Sequence, residues 1–242
     1  MSTKYKFRNG IFIMEKYETH ESFPLSAPRH IHDDFEGTAV DANIWTEVEV
    51  ADSTKAIALG ILTYHLHGTG ETEEVGIYGR DSKSWDIGKG LQMECRLAVH
   101  VAPTLEAEFM IGVQNDSYST GSNRILNADE VAKYAAFGFY ATLGVGLIPA
   151  IRTDDGTLVS GIISSGITAF ALDAYHIFRI DFTNIADVKF YIDGVCVAPT
   201  TVFNMSTAAS LMVQPIVMAQ KLTPNTGLGD IYVDYIKLWS LR

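Results

Sequence analysis

The most constraining stretch of the 242-residue chain runs from Phe178 to Val197. Side chains alternate sides along a strand, so Phe178, Ile180 and Phe182 share one face and Arg179 and Asp181 the other. After a short turn at 184–187, Val188, Phe190 and Ile192 repeat the pattern. Asp193-Gly194 supplies the positive-φ residues that a two-residue hairpin turn requires, and Val195 and Val197 begin the return strand. The segment therefore predicts three consecutive antiparallel strands with one face on a core.

The same alternation recurs elsewhere. Leu91, Met93, Cys95, Leu97, Val99 and Val101 alternate with Gln92, Glu94, Arg96 and His100, which predicts a strand. Leu105 to Gln114 reads as another, with Glu106 and Glu108 on one face and Phe109, Ile111 and Val113 on the other. Further strands are predicted at 45–50, 75–78, 135–143, 148–152, 158–163, 202–205, 211–219 and 229–239, with Asp155-Gly156 as a second hairpin turn. Residues 56–67 read as one apolar segment with Gly60 at a bulge or close contact. Glu71, Glu73 and Glu74 mark a loop, residues 82–86 an exposed connection and residues 115–127 a long polar loop. Residues 127–134 have room for one helical turn, and 223–229 read as a loop. About a dozen short strands, turn signals every ~8–12 residues and almost no helical period predict an all-β sandwich or jelly roll. Without an internal repeat or linker, one domain at 32–242 is expected.

Residues 1–31 differ. Tyr5, Phe7, Ile11, Phe12, Ile13 and Met14 are apolar, while Pro24 and Pro28 break long elements. An extended N-terminal arm that packs on its own domain or on a neighbouring subunit is expected. The 47% hydrophobic content supports a sizeable core, and the net charge of −11 speaks against nucleic acid and anionic membranes as partners. No apolar run approaches the ~18 residues of a membrane span. Ile11 to Met14 is too short for a secretory leader, so a reducing cytoplasm is expected, with Cys95 and Cys196 as buried thiols ahead of a disulfide.

Three segments carry a resemblance to concanavalin A-like lectin/glucanase domains. The Phe178–Ala198 stretch resembles their back-sheet hairpin, Gly229 to Trp239 their closing strand, and Asp33-Asp-Phe-Glu-Gly37 with Ile44-Trp45 their opening strand. The resemblance spans about residues 32–242 and implies two antiparallel sheets packed as a jelly roll. It also implies a structural calcium held by Asp234, with Asp34 or Glu36 completing the site, since hard oxygen ligands suit that ion. No other cofactor is expected.

Catalytic chemistry is hard to assemble. Retaining glycoside hydrolysis needs two carboxyl groups ~5–5.5 Å apart. The E-x-D-x-x-E pattern of the laminarinase-like branch is absent, and Glu106-Ala-Glu108 lacks a third acid and a sugar-binding aromatic. The pairs His30-Ile-His32 and His65-Leu-His67 each share a strand face but lack further zinc ligands at a suitable spacing. There is neither a phosphate loop nor a nucleophile elbow.

An acidic, catalytically bare sandwich of this kind resembles bacteriophage virion proteins, notably capsid decoration proteins and head or tail fibre modules. That resemblance implies a non-enzymatic structural protein made in the host cytoplasm and located in the virion. It would be oligomeric and bound to other capsid proteins through Phe7, Ile11, Phe12 and Ile13 of the arm. The alternative is a lectin-like module that binds glycans through Trp85, Tyr118 and Tyr140, whose ring faces stack on sugars. A divergent hydrolase or lyase is the third reading.

Overall fold

Alternation assigns each strand residue to one side of a sheet, and the computed structural model shows two such sheets closing on one core. It describes residues 3–8, 11–16, 22–24, 29–105, 107–115, 117–118, 134–140, 149–154, 158–162, 170–207 and 211–240.

Strands β1 (Thr3–Arg8), β2 (Ile11–Lys16) and β3 (Ser22–Pro24) form a separate three-stranded antiparallel sheet. Phe7 pairs with Phe12 and Tyr5 with Met14. The expected irregular arm is thus sheet over these residues. The side chains of Phe7, Ile11, Phe12 and Ile13, on which the assembly expectation rests, lie outside the described residues.

The back sheet holds β4 (Arg29–Asp33), β6 (Thr54–Ala58), β7 (Ile61–Leu66), β10 (Gln92–Val101), β15 (His176–Asp181), β16 (Lys189–Ile192), β17 (Val195–Val197) and β19 (Gly229–Ser240). Its order is β17-β16-β15-β10-β19-β7-β6, with β4 beside the far end of β19. The front sheet holds β5 (Thr46–Val50), β8 (Glu71–Tyr78), β11 (Ala107–Gln114), β12 (Tyr134–Tyr140), β13 (Ala150–Asp154), β14 (Leu158–Ile162) and β18 (Met212–Asn225). Its order is β14-β13-β12-β11-β18-β8-β5, with β9 (Trp85–Asp86) beside the start of β18. All pairings are antiparallel, and the only helical segment among the described residues is a 3₁₀ turn at Ile87–Lys89.

The constraining segment folds as its pattern predicts. β15, β16 and β17 pair in order, with Phe178 opposite Ile192 and Ile180 opposite Phe190. Asp193 and Gly194 take φ of 49° and 77°. Asp193 also ties the turn to β15, accepting from Ile177 N at 2.9 Å and lying 2.6 Å from His176 Nδ1. Asp33 explains the opening pattern: its carboxylate accepts from Trp45 Nε1 at 2.7 Å and Phe35 N at 2.9 Å. The core is stitched by aromatic edges across the sheets, with Phe137 of β12 lying 5.1 Å from Phe178 and 5.2 Å from Phe190. Each fully buried side chain of this size contributes ~1.5–3 kcal/mol of transfer free energy.

Several expectations are corrected. Residues 56–67 are not one strand: Leu59 (φ 56°) and Gly60 (φ 75°) form a turn between β6 and β7. Glu71, Glu73 and Glu74 lie in β8, because Glu73 is neutralised inside the sandwich. Residues 202–205 are not a strand; Phe203 makes one bridge to Val188. β18 runs on through Asn225, into the predicted loop. Arg29, His30 and Ile31 pair with Ser240, Trp239 and Leu238, so the sandwich begins before residue 32.

Candidate functional site

The outer face of the front sheet is the best-formed candidate. Inward alternation places Val75, Ile77, Phe109, Ile111, Val113, Val213, Val217 and Ala219 in the main core. The intervening residues therefore point outward, and the register aligns them in rows. One row is Tyr140, Glu108, Gln220, Glu74 and Val50. The next is Gly138, Met110, Met218, Gly76 and Val48, followed by Ala136, Gly112, Ile216, Tyr78 and Thr46. The last aligns Tyr134, Gln114 and Gln214. A polar row thus stands at each end of a smooth apolar middle, where Val48, Met110, Ala136, Ile216 and Met218 form a second cluster.

Glycine is required in that middle. A Cβ at Gly112 would lie 2.2 Å from Ala135 O, and one at Gly76 would lie 2.6 Å from Val217 O. Close strand approach keeps the face smooth.

The polar row carries two sets of hydrogen bonds. Gln220 Nε2 donates to Glu108 Oε1, and Tyr118 Oη donates to Glu74 Oε2. Tyr118 stacks on Tyr78 with centroids 4.9 Å apart and planes 18° from parallel. Its backbone N–H donates to Asp81 Oδ1 at 2.8 Å, which also accepts from Gln214 Nε2 at 2.9 Å. Glu74, Glu108, Gln114 and Gln220 are all buried although they point away from the core, whereas Tyr78 and Tyr118 beside them are half-buried. Carboxylate, amide and phenol groups in such a setting are suited to hold hydroxyls.

The two acids stand on separate strands. Glu74 and Glu108 flank Gln220 two strands apart, about 10 Å at Cα given the ~4.8 Å strand spacing. Glu108 accepts from Gln220 and Glu74 from Tyr118.

Of the residues singled out from sequence, Tyr118 reaches this face. Tyr140 lies in its polar row by register, with its side chain outside the described residues. Trp85 does not: it is 2% exposed, packed in the core and covered by the Arg29 guanidinium at 4.2 Å. Glu106, half of the predicted carboxylate pair, lies outside the described residues. Asp34 and Glu36 are exposed, Asp234 is paired with Arg96, and the three form no metal-holding group among the described residues. Neither His-x-His pair does so either; His65 instead pairs with Asp230. Both cysteines are free thiols, Cys95 buried and Cys196 half-buried. Burial pushes both thiols above their ordinary range.

Sequence reasoning missed Glu74 and Gln220. The acidic run at 71–74 imitates a loop, and β18 is apolar on both faces midway, which hides its alternation.

No protein-family model matches the chain, and no curated protein matches it. Solved structures do. One, from work on endo-acting O-glycanases of the human gut microbiota that initiate mucin breakdown, matches with a TM-score of 0.61 at 13% identity, covering 90% of this chain and all of that one. A β-1,3-glucanase from Mycobacterium marinum matches at 0.58 and 16%, covering 88% of this chain and 100% of the other. The Emp47p carbohydrate recognition domain matches at 0.58 and 12%, covering 90% and 97%. The chain therefore has the concanavalin A-like jelly-roll fold.

Proposed function

We propose that the protein binds carbohydrate on the outer face of its front sheet and does not hydrolyse it. The observation that carries this reading is the Glu108–Gln220–Glu74 row with Tyr118 stacked on Tyr78 at its side. The half-buried Tyr78–Tyr118 stack offers an aromatic surface for a sugar ring, and the buried polar row fixes it from behind through the Tyr118 bond to Glu74. The fold is shared with a carbohydrate recognition domain and with glycan-cleaving proteins, which makes a glycan the natural first ligand class to test. The missing E-x-D-x-x-E pattern of the laminarinase-like branch supports binding over a retaining mechanism. Those neighbours offer no support for attachment to a virus particle, and that expectation is not carried further.

A glycan array with the full chain and the Tyr118→Ala variant tests the proposal. The expected result is a defined set of bound glycans whose signal falls at least about tenfold in the variant, a loss of roughly 1.4 kcal/mol. Absence of binding across neutral and acidic glycans would overturn it. Release of reducing ends from a bound polysaccharide, abolished by Glu108→Gln, would replace it with a hydrolytic reading.

A further inference from the structure

A second concavity lies at one end of the sandwich, lined by side chains from β4, the 41–45 loop, the 79–85 loop and β18. Its volume is about 360 Å³, and Arg29 and Arg80 both line it, together with Asn43, Ser82, Ile44 and Pro215. No Asp or Glu is among its lining residues. Neither arginine has an ion-pair partner among the described residues. In a chain of net charge −11, two uncompensated guanidinium groups at one small cavity are a specific feature.

Both arginines are positioned before any ligand arrives. The Arg29 guanidinium lies over the Trp85 ring at 4.2 Å, donates from Nη2 to Ser84 Oγ at 2.7 Å and from Nη1 to Ser84 O. Two of its five N–H groups are thereby used and the others remain to donate. Arg80 sits on a loop anchored at both sides. Gly79 N donates to Pro215 O at 3.0 Å, and Asp81 N donates to Gln214 Oε1 at 2.9 Å. Arg80 and Asp81 hold φ of 57° and 54°, a left-handed pair that no glycine relieves. The only contact of its guanidinium among the described residues is a 3.4 Å approach of Nη1 to Asn43 O.

We propose that this cavity binds an oxyanion carried on a sugar ring, a carboxylate or a sulfate ester. Planar guanidinium forks match the two oxygens of such groups, and charge-assisted bonds are the strong ones. Ile44 and Pro215 supply apolar walls for the ring, while Asn43 and Ser82 can hold its hydroxyls. The volume is near the lower end of ligand pockets, which fits one or two rings rather than a long chain. The net charge of −11 on the chain disfavours extended polyanions such as nucleic acid. The anion assignment stands on the cavity alone; the sugar assignment rests on the proposed function.

The test is a titration of the full chain read at the arginine Nε–H signals in ¹H–¹⁵N spectra. The probes are N-acetylneuraminate, glucuronate, glucose 6-sulfate, methyl glucoside and inorganic sulfate. Saturable shifts at Arg29 and Arg80 are expected with an acidic sugar and not with methyl glucoside. Whether carboxylates or the sulfate ester bind more tightly separates the two sources. Arg80→Gln is expected to weaken binding at least tenfold, and Arg29→Lys, which keeps the charge but loses the fork, to weaken it as well. Near-UV circular dichroism checks that both variants fold. Equal response to methyl glucoside, or affinity unchanged in Arg80→Gln and Arg29→Lys, would overturn the proposal. Inorganic sulfate binding as tightly as the best sugar would overturn the sugar assignment. Because the readout is local, loss of glycan-array binding in Tyr118→Ala leaves this result untouched, and the two proposals fail separately.

Discussion

Lys221 and Glu73 form an ion pair inside the sandwich, both with 0% exposure. Lys221 Nζ donates to Glu73 Oε1 at 2.9 Å, His67 O at 2.8 Å and Thr69 O at 2.6 Å. Glu73 also accepts from His67 N at 2.8 Å and Thr69 Oγ1 at 2.6 Å. Burial pushes the Glu73 carboxyl up, but the hydrogen bonds from Thr69, Lys221 and His67 outweigh it and hold the group below its ordinary 4.5. Glu73→Gln strands a buried ammonium, and a loss of about 3–5 kcal/mol is expected in urea denaturation at neutral pH. The sign of the pH effect follows from a folded pKa lying below the unfolded one. The contribution is complete above the unfolded value and drains as pH falls through the folded one. The difference between wild type and variant should therefore shrink as pH drops below about 4.5. At this scale the sequence is a poor guide. The Glu73 that the fold neutralises and the Glu74 that faces outward are adjacent acids, separable only once the strand is known. Trp85 misled for a related reason: a two-residue strand has no alternation to read, and the Arg29 that covers it lies 56 positions away.

Turns show what is legible at the level of elements. Asp193-Gly194 announces its hairpin because both residues tolerate positive φ, and Asp193 adds bonds that lock it. Leu59-Gly60 makes the equivalent turn without announcing it, since leucine at φ 56° is unfavourable and its side chain is fully exposed. The turn forms because β6 and β7 pair across it over five residues on each strand. This mismatch makes a prediction. Leu59→Asn relieves the left-handed strain and removes an exposed apolar side chain, so stability should rise by about 0.5–1 kcal/mol. In a chain of this size that is a gain of about 1–4 °C in Tm by thermal circular dichroism. Gly60→Ala should go the other way by about 1–2 kcal/mol, because alanine is strained at φ 75° and its Cβ would meet Asp34 O at 3.4 Å. An unchanged Leu59→Asn would mean that the turn is already relaxed.

The alternation of twelve or so segments was enough to define a two-sheet sandwich, but not the order of strands within each sheet. That order depends on pairings between distant segments, such as Arg29–Asp33 with the end of β19, which no local pattern encodes. The same topology makes the whole fold unequally sensitive to trimming at its start. Among the described residues, β1, β2 and β3 pair only with one another, whereas β4 pairs with β19, a central strand of the back sheet. Removing residues 1–28 deletes none of the described strands of either large sheet. Removing residues 1–33 exposes the backbone of Ile236 to Ser240, lifts Arg29 from Trp85, and deletes the Asp33 carboxylate that holds Trp45 Nε1 and Phe35 N. Each buried donor left without its acceptor costs about 1–3 kcal/mol. The chain starting at Arg29 should therefore unfold cooperatively, with a Tm several degrees or more above that of the chain starting at Asp34, by calorimetry on the two side by side. Equal Tm values would mean that β4 only decorates β19 and adds nothing to the stability of the sandwich.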